Sequence, residues 1–143
     1  MRPRRRPDPP GMRAEQGASM GEAGMLLVMT TVPDAQAARA IAGTLVEGRL
    51  AACVSIQSSC VSVYRWEGAV EQAHEVPMLI KTTVDRYPAL ERELLRLHPC
   101  SLPEIVAFPA SHGLPAYLGW VTTETIAADR PANGEVTTLA GVP

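Results

Sequence analysis

The stretch Ala51–Thr83, AACVSIQSSCVSVYRWEGAVEQAHEVPMLIKTT, limits the folds open to this chain more than any other. Val54 and Ile56 alternate with small polar residues, as do Val61 and Val63. Val76, Met78, Ile80 and Thr82 repeat the pattern on the far side. A period of two marks strands with one buried face, because successive strand side chains point to opposite sides. Gly68 takes positive φ at little steric cost, so Trp66-Glu67-Gly68 predicts the turn of a long β-hairpin. A straight strand over Ala51–Trp66 would reach ~50 Å at ~3.3 Å per residue. A compact domain of ~110 residues has a radius of gyration of only ~13 Å. The strand must therefore bend, with Ser58-Ser59 as the expected place, or project beyond its own sheet. A projecting hairpin exposes unpaired backbone groups and apolar side chains such as Val61, Val63 and Trp66. Such edges aggregate unless another strand covers them. Another copy of the same chain would serve as cover, and head-to-tail addition closes into a ring.

The flanking segments supply the rest of a domain. Met25–Val32 (MLLVMTTV) is a short apolar run suited to a central strand buried on both faces. Pro33 and Asp34 suit the first turn of a helix, where a missing N–H is harmless and a negative charge complements the dipole. Ala35, Ala38, Ile41, Ala42, Leu45 and Val46 then form an apolar stripe, and Gly48 is the expected stop. After the hairpin, Asp85 opens a second helix carrying Tyr87, Leu90, Leu94 and Leu97. It ends at His98 because Pro99 disfavours the α conformation there. Glu104–Phe108 is a fourth strand. Pro115 begins a last helix with Tyr117, Trp120, Val121 and Glu124 along one side. The order β-α-β-β-α-β-α predicts an α+β, ferredoxin-like split β-α-β sandwich. Two helices cover one face of a four-stranded antiparallel sheet, with a long β2-β3 hairpin and a C-terminal helix.

The ends read differently. Residues 1–24 hold five Arg among four Pro, and with Asp8, Glu15 and Glu22 carry +2, leaving −4 for the rest of a chain at −2. They lack the apolar core of a signal peptide, and their composition predicts a disordered tail. A basic nucleic-acid arm is the alternative there, as is a translation start at Met12, Met20 or Met25. Residues 25–126 form the expected domain, and 127–143 a loose C-terminal tail. The near-neutral charge gives no global pull toward nucleic acid, and no apolar run approaches the ~20 residues of a membrane span. Cys53, Cys60 and Cys100 are an odd count without a pairing pattern, which points to a reducing, cytoplasmic setting.

Six segments then carry a resemblance. TTVPD (Thr30–Asp34), GRLAACVS (Gly48–Ser55), VYRWEG (Val63–Gly68), EVPMLIKTT (Glu75–Thr83), LPEIVAFP (Leu102–Pro109) and AYLGWV (Ala116–Val121) resemble the CutA family of divalent-cation tolerance proteins, in the right order and spacing from Met25 to Thr125. The family commonly has Pro-Gly where this chain has Ser58-Ser59. The resemblance implies a homotrimer built through the hairpin, similar in architecture to PII signalling proteins. It also implies a non-enzymatic role in tolerance to copper and other divalent metals, through weak metal-ion binding. The copper ligands it implies fall on Thr30, Leu97 and His98, of which His98 alone keeps a metal-binding side chain.

The residues themselves offer little catalytic chemistry. There is no glycine-rich phosphate loop, no HExxH and no GxSxG. His98 is the candidate metal ligand, with Cys100 two residues on; its other reading is a cation at a helix C-terminus. His74 and His112 are expected in solvated turns. Lys81 should point to solvent or to a carboxylate, with Glu67 or Glu104 as partners across a seam between subunits. Tyr64, Trp66, Tyr117 and Trp120 are expected to pack that seam and to wall an inter-subunit cleft with Glu67, Lys81 and Glu104. The alternatives to metal tolerance are therefore a PII-like small-molecule sensor using that cleft, or a trimeric scaffold.

Overall fold

The computed structural model describes residues 24–127. The tails expected at either end lie outside these residues, apart from Gly24 and Ala127. The elements are β1 (Met25–Val32), α1 (Ala35–Glu47), β2 (Cys53–Ile56), β3 (Cys60–Trp66), β4 (Ala69–Thr83), α2 (Tyr87–Leu97), β5 (Val106–Pro109) and α3 (Pro115–Glu124). All pairings are antiparallel. The sheet runs β2-β4-β1-β5, and β3 continues alongside the N-terminal half of β4. The expected four-stranded sheet is present, and a fifth strand arises because the long strand breaks.

That break is a one-residue bulge. Ile56 pairs with Met78 and Cys60 with Glu75, so Gln57, Ser58 and Ser59 oppose only Val76 and Pro77. Pro77 has no N–H to give a ladder, and a proline inside a sheet is tolerated at such a bulge. Its carbonyl still accepts from Gln57 N at 2.9 Å. The extra residue also explains why the apolar set changes phase, from even positions (Val54, Ile56) to odd ones (Val61, Val63).

The core lies between one sheet face and α1 with α2. Val28 and Val32 of β1, Val76, Met78 and Ile80 of β4, Ala38, Ile41 and Leu45 of α1, and Leu90 and Leu94 of α2 form one buried cluster. Asp34 is the N-cap of α1, its carboxylate accepting from Ala37 N at 2.7 Å, so Pro33 precedes the cap rather than entering the helix. The helix α2 starts two residues later than expected. Asp85 and Arg86 sit in a turn after β4, and Arg86 N reaches the carbonyl of Thr83. The strand β5 begins at Val106 rather than Glu104, where its pairing with Met29 begins.

Helix α1 does not stop by a left-handed Gly48. Gly48 has φ −78°, and the positive φ of 56° falls on Arg49. Leu50 N bonds Leu45 O and Arg49 N bonds Val46 O, which is a Schellman closure with Leu50 returned to the core. A left-handed non-glycine residue costs ~1–2 kcal/mol. Arg49→Gly is therefore expected to raise stability by about 0.5–1 kcal/mol in thermal unfolding. The exposed Arg49–Glu124 pair it removes, at 3.9 Å, contributes little.

Helix α3 lies against β1 and β4. Its buried side chains are Leu118 and Val121, and they stand outside the α1–α2 cluster. The sequence had placed Tyr117 and Trp120 on the working side of this helix. Leu118 takes that place instead, seated against Gly113, where a Cβ would come within 2.8 Å of it.

Candidate functional site

Three regions carry the residues of interest: a ribbon, a lysine on the open sheet face, and a buried histidine. The ribbon is β3 with residues 69–75 of β4. Only β3 pairs with this half of β4, because β1 and β2 reach no further than Val76. Glu67 (φ 49°) and Gly68 (φ 81°) form a two-residue turn with both central residues left-handed, the form that matches strand twist. Tyr64 and Trp66 share one face with Glu71 and Ala69, and Val61 and Val63 share the other with His74 and Gln72. Val61, Val63 and Val70 are 55%, 62% and 66% exposed, and Tyr64 and Trp66 are exposed too. Apolar side chains thus stand in water on both faces, and both edges of the ribbon lack a strand partner among the described residues.

Lys81 lies on the face opposite α1 and α2, paired across strands with Leu27 and Cys53. Its Nζ donates to Ser55 Oγ at 2.5 Å, with Cys53 Sγ at 3.9 Å. The expected carboxylates are elsewhere: Glu67 is in the ribbon turn, and Glu104 is exposed ahead of β5. Tyr117 and Trp120 are stacked on α3, with ring centres 5.7 Å apart and planes tilted by 35°. Within one protomer, therefore, the seven residues expected to line a cleft do not converge on one point.

His98 departs most from its expected setting. It is 8% exposed, not a solvated cation at a helix end. Its Nδ1 accepts from Cys100 N at 3.1 Å. Its Nε2 lies 2.9 Å from Thr31 O and 3.1 Å from Thr30 Oγ1. Thr30 is 1% exposed, on the core face of β1. Two of the three positions implied as copper ligands are thus adjacent in space although 68 residues apart in the chain. The third, Leu97, packs against the core. Sequence reasoning missed the Thr30–His98 contact because nothing local announces a partner so distant.

These donors do not fit a divalent metal. Thr30 offers a neutral hydroxyl, Leu97 nothing, and both ring nitrogens of His98 are engaged. No buried side-chain N or O among the described residues lacks a hydrogen-bond partner, so none is left pointing at an absent ligand. No group of three His, Cys, Asp or Glu stands within metal-binding reach among them either. Burial pushes the Cys100 thiol up, and the Glu75 carboxylate adds to the effect, so little thiolate is present near neutral pH. Cys100 is expected to react with iodoacetamide at pH 8 more slowly than a free cysteine, as read by peptide mass mapping. A faster rate would contradict the buried setting.

The ferredoxin-like sandwich with a projecting β-ribbon defines the class: a small α+β domain whose ribbon extends past its own core. Comparison with known proteins narrows it. The profile of the CutA1 divalent ion tolerance protein family matches residues 26–124. The divalent-cation tolerance protein CutA of Thermus thermophilus is 46% identical over 99 residues, covering 69% of this chain and 96% of that protein. A solved structure of CutA from Xylella fastidiosa is 43% identical with a TM-score of 0.71, covering 72% of this chain and 99% of that one. The CutA1 structure from a psychrotrophic Shewanella is also 43% identical, with a TM-score of 0.70 over 71% of this chain and 95% of its own. The chain belongs to the CutA1 divalent ion tolerance protein family. Neither the family description nor these names denote a catalysed reaction.

Proposed function

We propose that this protein is a non-enzymatic divalent-cation tolerance protein that works as a homotrimer assembled through its ribbon. The observation that carries this is the β3–β4 ribbon. It holds exposed Val61, Val63, Tyr64, Trp66 and Val70 on a two-stranded extension with open edges. Such an extension is marginal alone in water and gains stability by adding to a neighbour's sheet. Three copies in a head-to-tail ring give every ribbon a partner. The family's description supports the link to divalent ions, with copper the metal that the resemblance suggests. A reducing, cytoplasmic setting accords with three free cysteines. Sedimentation equilibrium at micromolar protein should return three times the 15.3 kDa protomer mass. A protomer mass would overturn the assembly.

A second reading has one observation in its favour. Lys81 meets only the neutral Ser55 and Cys53, and among the described residues it has no ion pair. A seam between subunits that brought Tyr117, Trp120 and Glu104 near it would suit a small anionic ligand, as in a sensor. Saturable binding of inorganic phosphate, lost in Lys81→Met, would favour this reading over a purely cation-linked role.

A further inference from the structure

The hydrogen bonds of His98 decide its chemistry. A backbone N–H can only donate and a backbone carbonyl can only accept. Nδ1 receives the N–H of Cys100, so Nδ1 carries the lone pair. Nε2 faces the carbonyl of Thr31, so Nε2 carries the proton, with Thr30 Oγ1 as a second neighbour. A cation binds imidazole through a nitrogen lone pair, and the only one is already spent on Cys100 N–H. Coordination at Nδ1 would orphan that N–H, and coordination at Nε2 would orphan the Thr31 carbonyl and move the proton onto the side facing Cys100. No neighbouring side chain is placed to compensate: Leu97 is packed in the core and Thr30 is an uncharged hydroxyl.

We infer that His98 is a clasp locked in its Nε2–H tautomer, joining β1 to the turn after α2, and that this protein takes no divalent cation at that imidazole. Any cation linked to its function is met elsewhere on the molecule. The inference stands whether or not the chain is a trimer, since every partner of His98 lies in its own protomer. It also gives the clasp a task, which is to fix the segment leading from α2 to β5, the edge strand beside β1.

The test is long-range proton–nitrogen NMR on the whole protein titrated with excess Zn(II), with calorimetry of Zn(II) on the wild type and His98→Asn. Asn is chosen because its Oδ1 can still accept from Cys100 N–H. The ring of His98 should keep a protonated Nε2 and an unprotonated, metal-free Nδ1 throughout. Any Zn(II) affinity should change by less than about twofold in His98→Asn, and no Zn(II) binding at all also agrees. Metal-induced loss of the Nε2–H signature, or a fall in affinity of about tenfold or more in the variant, would overturn the inference. Should His98→Asn not fold, the wild-type spectra alone decide.

Discussion

Replacing His98 by Ala is expected to lower the unfolding free energy by about 3 kcal/mol, measured by urea denaturation at fixed protomer concentration. The change removes an imidazole that is 8% exposed and leaves two backbone groups, Cys100 N–H and Thr31 C=O, short of a partner. Each unsatisfied buried group costs ~1–3 kcal/mol, and the emptied volume adds to that. His98→Asn should recover part of the loss, because Asn restores an acceptor near the Nδ1 position. A loss below about 1 kcal/mol for His98→Ala would mean that water replaces the ring at no cost, and the clasp would then have no structural weight. A residue kept for cation binding would behave in the opposite way: its removal would leave the apo-protein stability almost untouched and change metal affinity.

Trp66→Asp should act on assembly rather than on the fold. Trp66 ends β3 opposite Ala69, exposed on the ribbon and far along the chain from the core cluster. The protomer therefore has little to lose from the change. In the proposed ring the indole is buried against a neighbour, and a carboxylate in its place would be desolvated without a partner. Truncating an anchoring aromatic typically costs ~2–4 kcal/mol at an interface, so each contact should weaken by about 100-fold or more. Sedimentation velocity should show protomers at micromolar concentration, while circular dichroism keeps the wild-type strand content. Unchanged assembly would remove Trp66 as an anchor. Loss of secondary structure together with assembly would mean instead that the protomer cannot stand without its neighbours.

Both outcomes bear on how divalent-ion tolerance could arise without a closed donor set. A metal-tolerance protein need not hold the metal tightly. The fully satisfied polar groups of this domain describe a rigid scaffold, and its unsatisfied surface is the ribbon. The assembly is therefore the first thing to measure, with the seam around Lys81 the next.

The local chemistry of the chain was legible in its sequence because it has a short period. Alternation over Val76–Thr82 set β4, the spacing Ile41–Leu45 and Leu90–Leu94 set the inner faces of two helices, and Gly68 marked the ribbon turn. The excess length of Ala51–Trp66 pointed to assembly without any structure, since no single protomer could cover such a strand. The tertiary structure decided what depends on partners distant in the chain. The bulge at 57–59 follows from Pro77 on the facing strand, some twenty residues on. The left-handed turn of α1 fell on Arg49 because Leu50 had to return to the core. His98 became a clasp because folding sets β1 against the end of α2, and those backbone groups are readable only once the strand and helix have met. A sequence can name a histidine, but whether its lone pair is free for a metal depends on which backbone donor reaches it first.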